Sequence, residues 1–127
     1  TPLAGLLHKA ATGQLGNATE PEFTEDVAIT VVLASEGYPT SSAPNRPLTG
    51  LTAAESDEHI SIAHAATKVD GDQLLATGGR VLSVVSLAKN FKKARKHAYE
   101  AIEQIHLAGS HYRKDIAKKV ADNEDDD

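Results

Sequence analysis

The chain has 127 residues, 40% hydrophobic and 24% charged, enough for one domain with a core and too apolar for a disordered segment. Its net charge is -5, and no apolar run approaches the roughly 18 residues of a membrane span, so neither nucleic acid nor a membrane is an expected partner. Cysteine is absent, which excludes a disulfide framework and a cysteine-based zinc site. Methionine is absent too, and the chain begins at Thr1, so a processed product or a piece of a longer polypeptide is expected. Nothing resembles a signal peptide, and the expected compartment is the cytoplasm.

Leu3, Leu6, Leu7, Ala10 and Ala11 recur at helical spacing and Gly13 offers a stop. Such a short helix needs something to pack on. Gly16 to Glu22 reads as a linker. Val27 to Ala34 is rich in β-branched residues and predicts a strand covered on both faces, ended by Gly37-Tyr38-Pro39. Thr40 to Pro47 is a proline-rich loop, Leu48 to Leu51 a short edge segment, and Thr52 to Glu55 a brief helical turn.

His59 to Thr67 alternates around Ile60 and Ile62 and predicts a second strand. Val69-Asp70-Gly71-Asp72 is a hairpin signal, and Gln73 to Ala76 is the return strand. Gly78-Gly79 breaks the ladder before another strand, Arg80 to Ala88. Phe91 to Leu107 carries an apolar stripe (Phe91, Ala94, Ala98, Ala101, Ile102, Ile105) and predicts the long helix, with Asn90 as N-cap and Gly109 as stop. Tyr112 to Val120 predicts a last short helix, and the end from Asn123 to Asp127 a solvated acidic tail. The order of elements predicts an α+β fold with a small antiparallel sheet.

The chemistry concentrates around Thr77-Gly78-Gly79-Arg80. Glycines let backbone approach another group closely, and Arg80 adds a fixed fork of donors, a combination suited to a phosphate or carboxylate. A glycine bulge that bends the sheet explains the same residues. His64 falls on the face of Ile60 and Ile62, which suits a core histidine or a member of a polar rim with Thr67, Lys68 and Arg80. The six histidines show no metal-ligand spacing, no nucleophile elbow is present, and no Walker-type loop is present.

Val27 to Pro39 resembles the first strand and turn of the C-terminal domain of the phosphoribosylamine–glycine ligase (glycinamide ribonucleotide synthetase) family. Leu48-Thr49-Gly50-Leu51, His64-Ala65-Ala66-Thr67-Lys68, Thr77 to Leu82, Ala98-Tyr99-Glu100-Ala101 and Tyr112 to Ile116 follow in the family's order. The resemblance implies an ATP-grasp ligase of purine biosynthesis, joining glycine to phosphoribosylamine with ATP and Mg2+ or Mn2+. It implies that the nucleotide and metal ligands lie upstream, and that this part is inactive alone. It also implies a barrel-sandwich-like fold with residues 1–16 ending the ATP-grasp core, 17–25 a linker, 26–118 the C-terminal domain and 119–127 the tail. Thr77, Gly78, Gly79 and Arg80 are then substrate-cleft candidates, with His64, Thr67 and Lys68 as second choices, and the rest of the ligase is the partner. No catalytic or metal-binding residue is expected here. The family usually has glycine where Ala66 stands. A stand-alone binding module, such as a carrier modified on Lys68, and a purely structural domain are the alternatives.

Overall fold

The computed structural model describes residues 1–124, and the rest of the expected tail, 125–127, lies outside the described residues. Six strands form two three-stranded antiparallel sheets. The first contains β1 (Val27–Ala34), β6 (Arg80–Ala88) and β3 (Ile60–His64), with β6 in the middle. The second contains β2 (Arg46–Pro47), β5 (Gln73–Ala76) and β4 (Thr67–Asp70), with β5 in the middle. The helices are α1 (Leu3–Ala11), α2 (Leu51–Ala54), α3 (Phe91–Ile102) and α4 (Lys118–Ala121). This is the expected α+β class, with two open sheets where one was expected and no closed barrel among the described residues.

The core lies between the first sheet and α3. Ile29, Val31 and Leu33 point inward from β1, and Val81, Leu82 and Val84 fill the middle of β6. Ala94 and Ala98 of α3 are wholly buried against them. Small side chains on that stripe let the helix sit close to the sheet. The Asn90 side chain accepts from the Lys93 N–H at 2.8 Å, the N-cap the sequence predicts.

Several expectations are corrected. β1 is covered on one face only: Ala28, Thr30 and Val32 alternate with the buried residues and are exposed. One helical layer covers one face of an antiparallel sheet, and period-2 burial follows. The strand expected over His59 to Thr67 is Ile60–His64, and Thr67 starts a strand of the other sheet. The edge strand is Arg46–Pro47 rather than Leu48 to Leu51, although the Leu48 N–H still donates to the Leu74 carbonyl at 2.9 Å. Gly50, at φ +87°, turns the chain where a Cβ would run into the Gln104 carbonyl.

That close approach also shortens α3. The helix ends at Ile102 instead of Leu107 because Thr49 and His106 exchange backbone hydrogen bonds of 3.1 and 2.9 Å. Ile105 and Leu107 stay buried in a non-helical path. The helix expected over Tyr112 to Val120 is only Lys118–Ala121. Side chains of α3 take the carbonyls a helix would need: Arg95 donates to Lys114 and Ile116, and the Tyr99 hydroxyl donates to Arg113 at 2.6 Å.

The described end of the tail is tied down rather than merely solvated. Both carboxylate oxygens of Glu124 accept from the first turn of α3, from Phe91 N–H and Lys92 N–H, at 2.9 Å each. An anion there satisfies orphan donors and faces the positive end of the helix dipole. Glu124→Ala is therefore expected to lower stability by about 1 kcal/mol. Urea denaturation of the two chains checks it, and an unchanged midpoint would make the contact incidental.

Candidate functional site

β5 and β6 are joined by Thr77-Gly78-Gly79, and the loop is held by Ser35 at the end of β1. Ser35 is wholly buried; its hydroxyl donates to the Gly78 carbonyl at 2.7 Å and its N–H to the Gly79 carbonyl at 2.8 Å. A Cβ on Gly79 would overlap the Tyr38 ring, and one on Gly78 would come within 3.0 Å of the Ala66 Cβ. Both glycines therefore serve close packing from either side. The ladder shifts register as well: Leu33 faces Leu82 but Ala34 faces Arg80, which leaves Val81 as the extra residue of a bulge.

Behind this loop opens a groove of about 760 Å³, lined among others by Tyr38, Ser41, Ser42, Ala66, Gly79 and Arg80. The Arg80 side chain is exposed and makes no hydrogen bond or ion pair with any described residue. A free guanidinium beside two serine hydroxyls suits a carboxylate or phosphate. No carboxylate lines the groove, so its residues do not fit a magnesium or manganese ion, which calls for oxygen ligands.

The predicted site residues divide. Gly79 and Arg80 share the groove, with Gly78 packed behind them. His64 is exposed, not a core residue: burial fades along β3 from Ile60 through half-buried Ile62. Its Nδ1 lies 2.9 Å from the Thr67 Oγ1 across the Ala65-Ala66 turn, and of this segment only Ala65 and Ala66 line the groove, not His64 or Thr67. Thr77 donates its N–H to the Ala66 carbonyl at 2.9 Å and does not line the groove. Lys68 lies inside β4 opposite Leu75, away from the Gly71-Asp72 tip where a carrier would present its lysine. Ala66 is not among the residues with positive φ, so it fits where the family usually has glycine. Sequence reasoning missed Tyr38, Ser41 and Ser42, and the one signal for them was the need for space at Gly79.

It also missed a cluster at the other end of β3. Asp57 Oδ1 meets His59 Nδ1 at 2.8 Å and Oδ2 meets His97 Nδ1 at 2.6 Å, while the two imidazoles stack 4.5 Å apart. The His59 backbone N–H, then the His59 ring and the His97 ring, hold the Asp57 carboxyl down at about 2, against an ordinary 3.8. His97 comes from α3, some forty residues away, and no local spacing rule finds it.

The fold is thus a small α+β domain of two open sheets and a packed helix, and its groove presents an Arg80 guanidinium unpaired among the described residues. The model of the phosphoribosylglycinamide synthetase C domain matches residues 28–119, and the chain belongs to that family. It is 51% identical over 122 residues to a phosphoribosylamine–glycine ligase of Leifsonia xyli, covering 94% of this chain and 29% of that protein. The Streptomyces coelicolor ligase is 44% identical, with 95% and 30% covered. The crystal structure of the Thermotoga maritima ligase superposes with a TM-score of 0.71 at 32% identity, over 89% of this chain and 27% of that one. The chain thus spans less than a third of the length of these relatives.

Two measurements test this geometry. Gly79→Ala drives a methyl into the Tyr38 ring and is expected to cost about 1–3 kcal/mol. Removing the ring with Tyr38→Ala should recover part of that loss in a double-mutant cycle, and additive losses would reject the contact. For Asp57 the folded value lies below the unfolded one, so its contribution is present above pH 4 and lost as pH falls towards 2. Stability measured from pH 5 to 2 should fall less steeply in Asp57→Asn than in the unsubstituted chain.

Proposed function

We propose that this chain is the C-terminal part of a working phosphoribosylamine–glycine ligase, cytoplasmic and inactive alone, whose role is to pack on an ATP-grasp core and form one wall of its substrate cleft. The observation that carries this reading is the free Arg80 guanidinium at the groove margin in a chain of this family. In the whole enzyme the glycine carboxylate would take the γ-phosphoryl group of ATP and release ADP, and the phosphoribosylamine nitrogen would then attack the acyl carbon and expel phosphate, with Mg2+ or Mn2+ supplying charge neutralisation. The groove residues fit neither ion, and no step passes through this domain.

Arg80 would hold an anionic group of glycine or phosphoribosylamine, with its aim fixed by the Ser35 clamp on the preceding glycines. Its contribution is positioning and charge neutralisation. His64 and Thr67 would flank the cleft, whereas Thr77, Gly78 and Lys68 would shape the loop and hairpin. Residues 1–16 would belong to the end of the core and 17–25 to a linker. This fits an α1 with no buried residue and with Leu3 and Leu7 exposed.

Arg80→Ala in the complete ligase is expected to lower kcat/KM about ten- to a hundredfold, mainly through KM, because a charge-assisted hydrogen bond contributes about 1.5–3 kcal/mol. The melting temperature should stay put, since the exposed side chain makes no hydrogen bond or ion pair with any described residue. Unchanged kinetics would leave Arg80 and its loop a purely architectural feature.

A further inference from the structure

Among the described residues, one group of side chains has the composition of a metal site: Asp57, His59 and His97, whose donor atoms lie within 4.8 Å of one another. They converge from two directions. Asp57 and His59 come from the loop between α2 and β3, and His97 from the middle of α3. The hydrogen bonds between carboxylate and imidazoles are 2.8 and 2.6 Å long. Ligands of a tetrahedral zinc ion stand about 3.3 Å apart, given zinc–ligand distances near 2.0–2.1 Å. The hydrogen-bonded donors thus stand roughly 0.5 Å closer than ligands of one ion and would spread slightly as an ion replaced the bridging protons, each of which marks a direction the ion could take.

One feature of the geometry must change. An ion shared by both imidazoles lies near both ring planes, and rings stacked 21° from parallel do not share such a point. One ring has to turn, and His59 has the room, its side chain being 43% exposed against 26% for His97. Asp57 and His97 form the pre-set pair, and His59 closes the site. The exposed side leaves a position for water.

We propose that Asp57, His59 and His97 bind one divalent cation of the imidazole-preferring class, zinc or nickel, at the junction of the α2–β3 loop and α3. Two nitrogens and one oxygen select against magnesium, which prefers an all-oxygen shell. The site is thus chemically distinct from the ATP-bound ion expected upstream, and it would tie the loop to the helix more firmly than the hydrogen bonds do.

Isothermal titration of the full chain with Zn2+, Ni2+ and Mg2+ in turn tests it. One saturable site is expected for zinc and nickel and none for magnesium. His59→Ala and His97→Ala should each weaken binding at least about tenfold, as loss of a ligand does. His64→Ala and His106→Ala should leave it unchanged. Because His97→Ala also removes a packing contact, histidine ring resonances of the unsubstituted chain are followed alongside. Zinc-induced shifts confined to His59 and His97 support the site. Absence of saturable binding, binding that survives His59→Ala, or shifts at other histidines would overturn it.

Discussion

The structure depends on β6 lying between β1 and β3. It is the longest strand, it pairs antiparallel on both sides, and its inward residues Val81, Leu82, Val84 and Ser86 are all buried. Covering those residues requires a helix that can approach closely, and the alanines of α3 allow that approach. Once β6 is fixed, its first residue is fixed too, and that residue is Arg80. The bulge at Val81 and the Ser35 clamp then set the direction in which the chain enters the strand. The free guanidinium is placed by the same packing that holds the core together.

The two polar clusters occupy opposite ends of one strand. His59 precedes β3 and His64 ends it, and five strand residues span about 17 Å. Arg80 lies near the His64 end, and His97 of α3 reaches the His59 end. Among the described residues no hydrogen bond or ion pair joins them, so a substitution in one cluster should leave the other in place. They also differ in character. The Arg80 end is an open groove with an unsatisfied cation. The Asp57 end is internally satisfied, with each imidazole held by the same carboxylate.

Much of this was legible in the sequence, for local reasons. The β-branched run at Val27 to Ala34, the Asp-Gly hairpin and the alanine stripe from Ala94 to Ile102 each carry their period within a dozen residues. What was not legible depended on pairing at long range. Whether β1 has one covered face or two depends on the number of helical layers, which its own residues do not encode. The end of α3 is set by Thr49, more than fifty residues upstream. The Tyr112 to Ile116 segment is held by Arg95 and Tyr99, which reads in sequence only as polar decoration of a helix. The site divides in the same way. Gly79 and Arg80 stood out because glycine pairs are locally conspicuous, whereas Tyr38 enters the groove only because its ring packs where Gly79 has no side chain.

The same physics explains why the groove is shallow. The outer face of β1, with Val32 at its centre, carries no cover among the described residues, and the Arg80 guanidinium has no counter-charge there. An unpaired arginine at the surface costs nothing, because water solvates it. It gains strength only when the surrounding water is excluded, since the effective dielectric then falls and each charge-assisted hydrogen bond grows with it. Apposition of a second wall would do that to Arg80 without any change in this domain's own geometry. Both glycine carbonyls of the loop are held by Ser35, and the Tyr38 ring packs on Gly79. Ordering the guanidinium's base in advance reduces the conformational entropy lost on binding, so a fixed loop with a free charge is what one half of a positioning site should present.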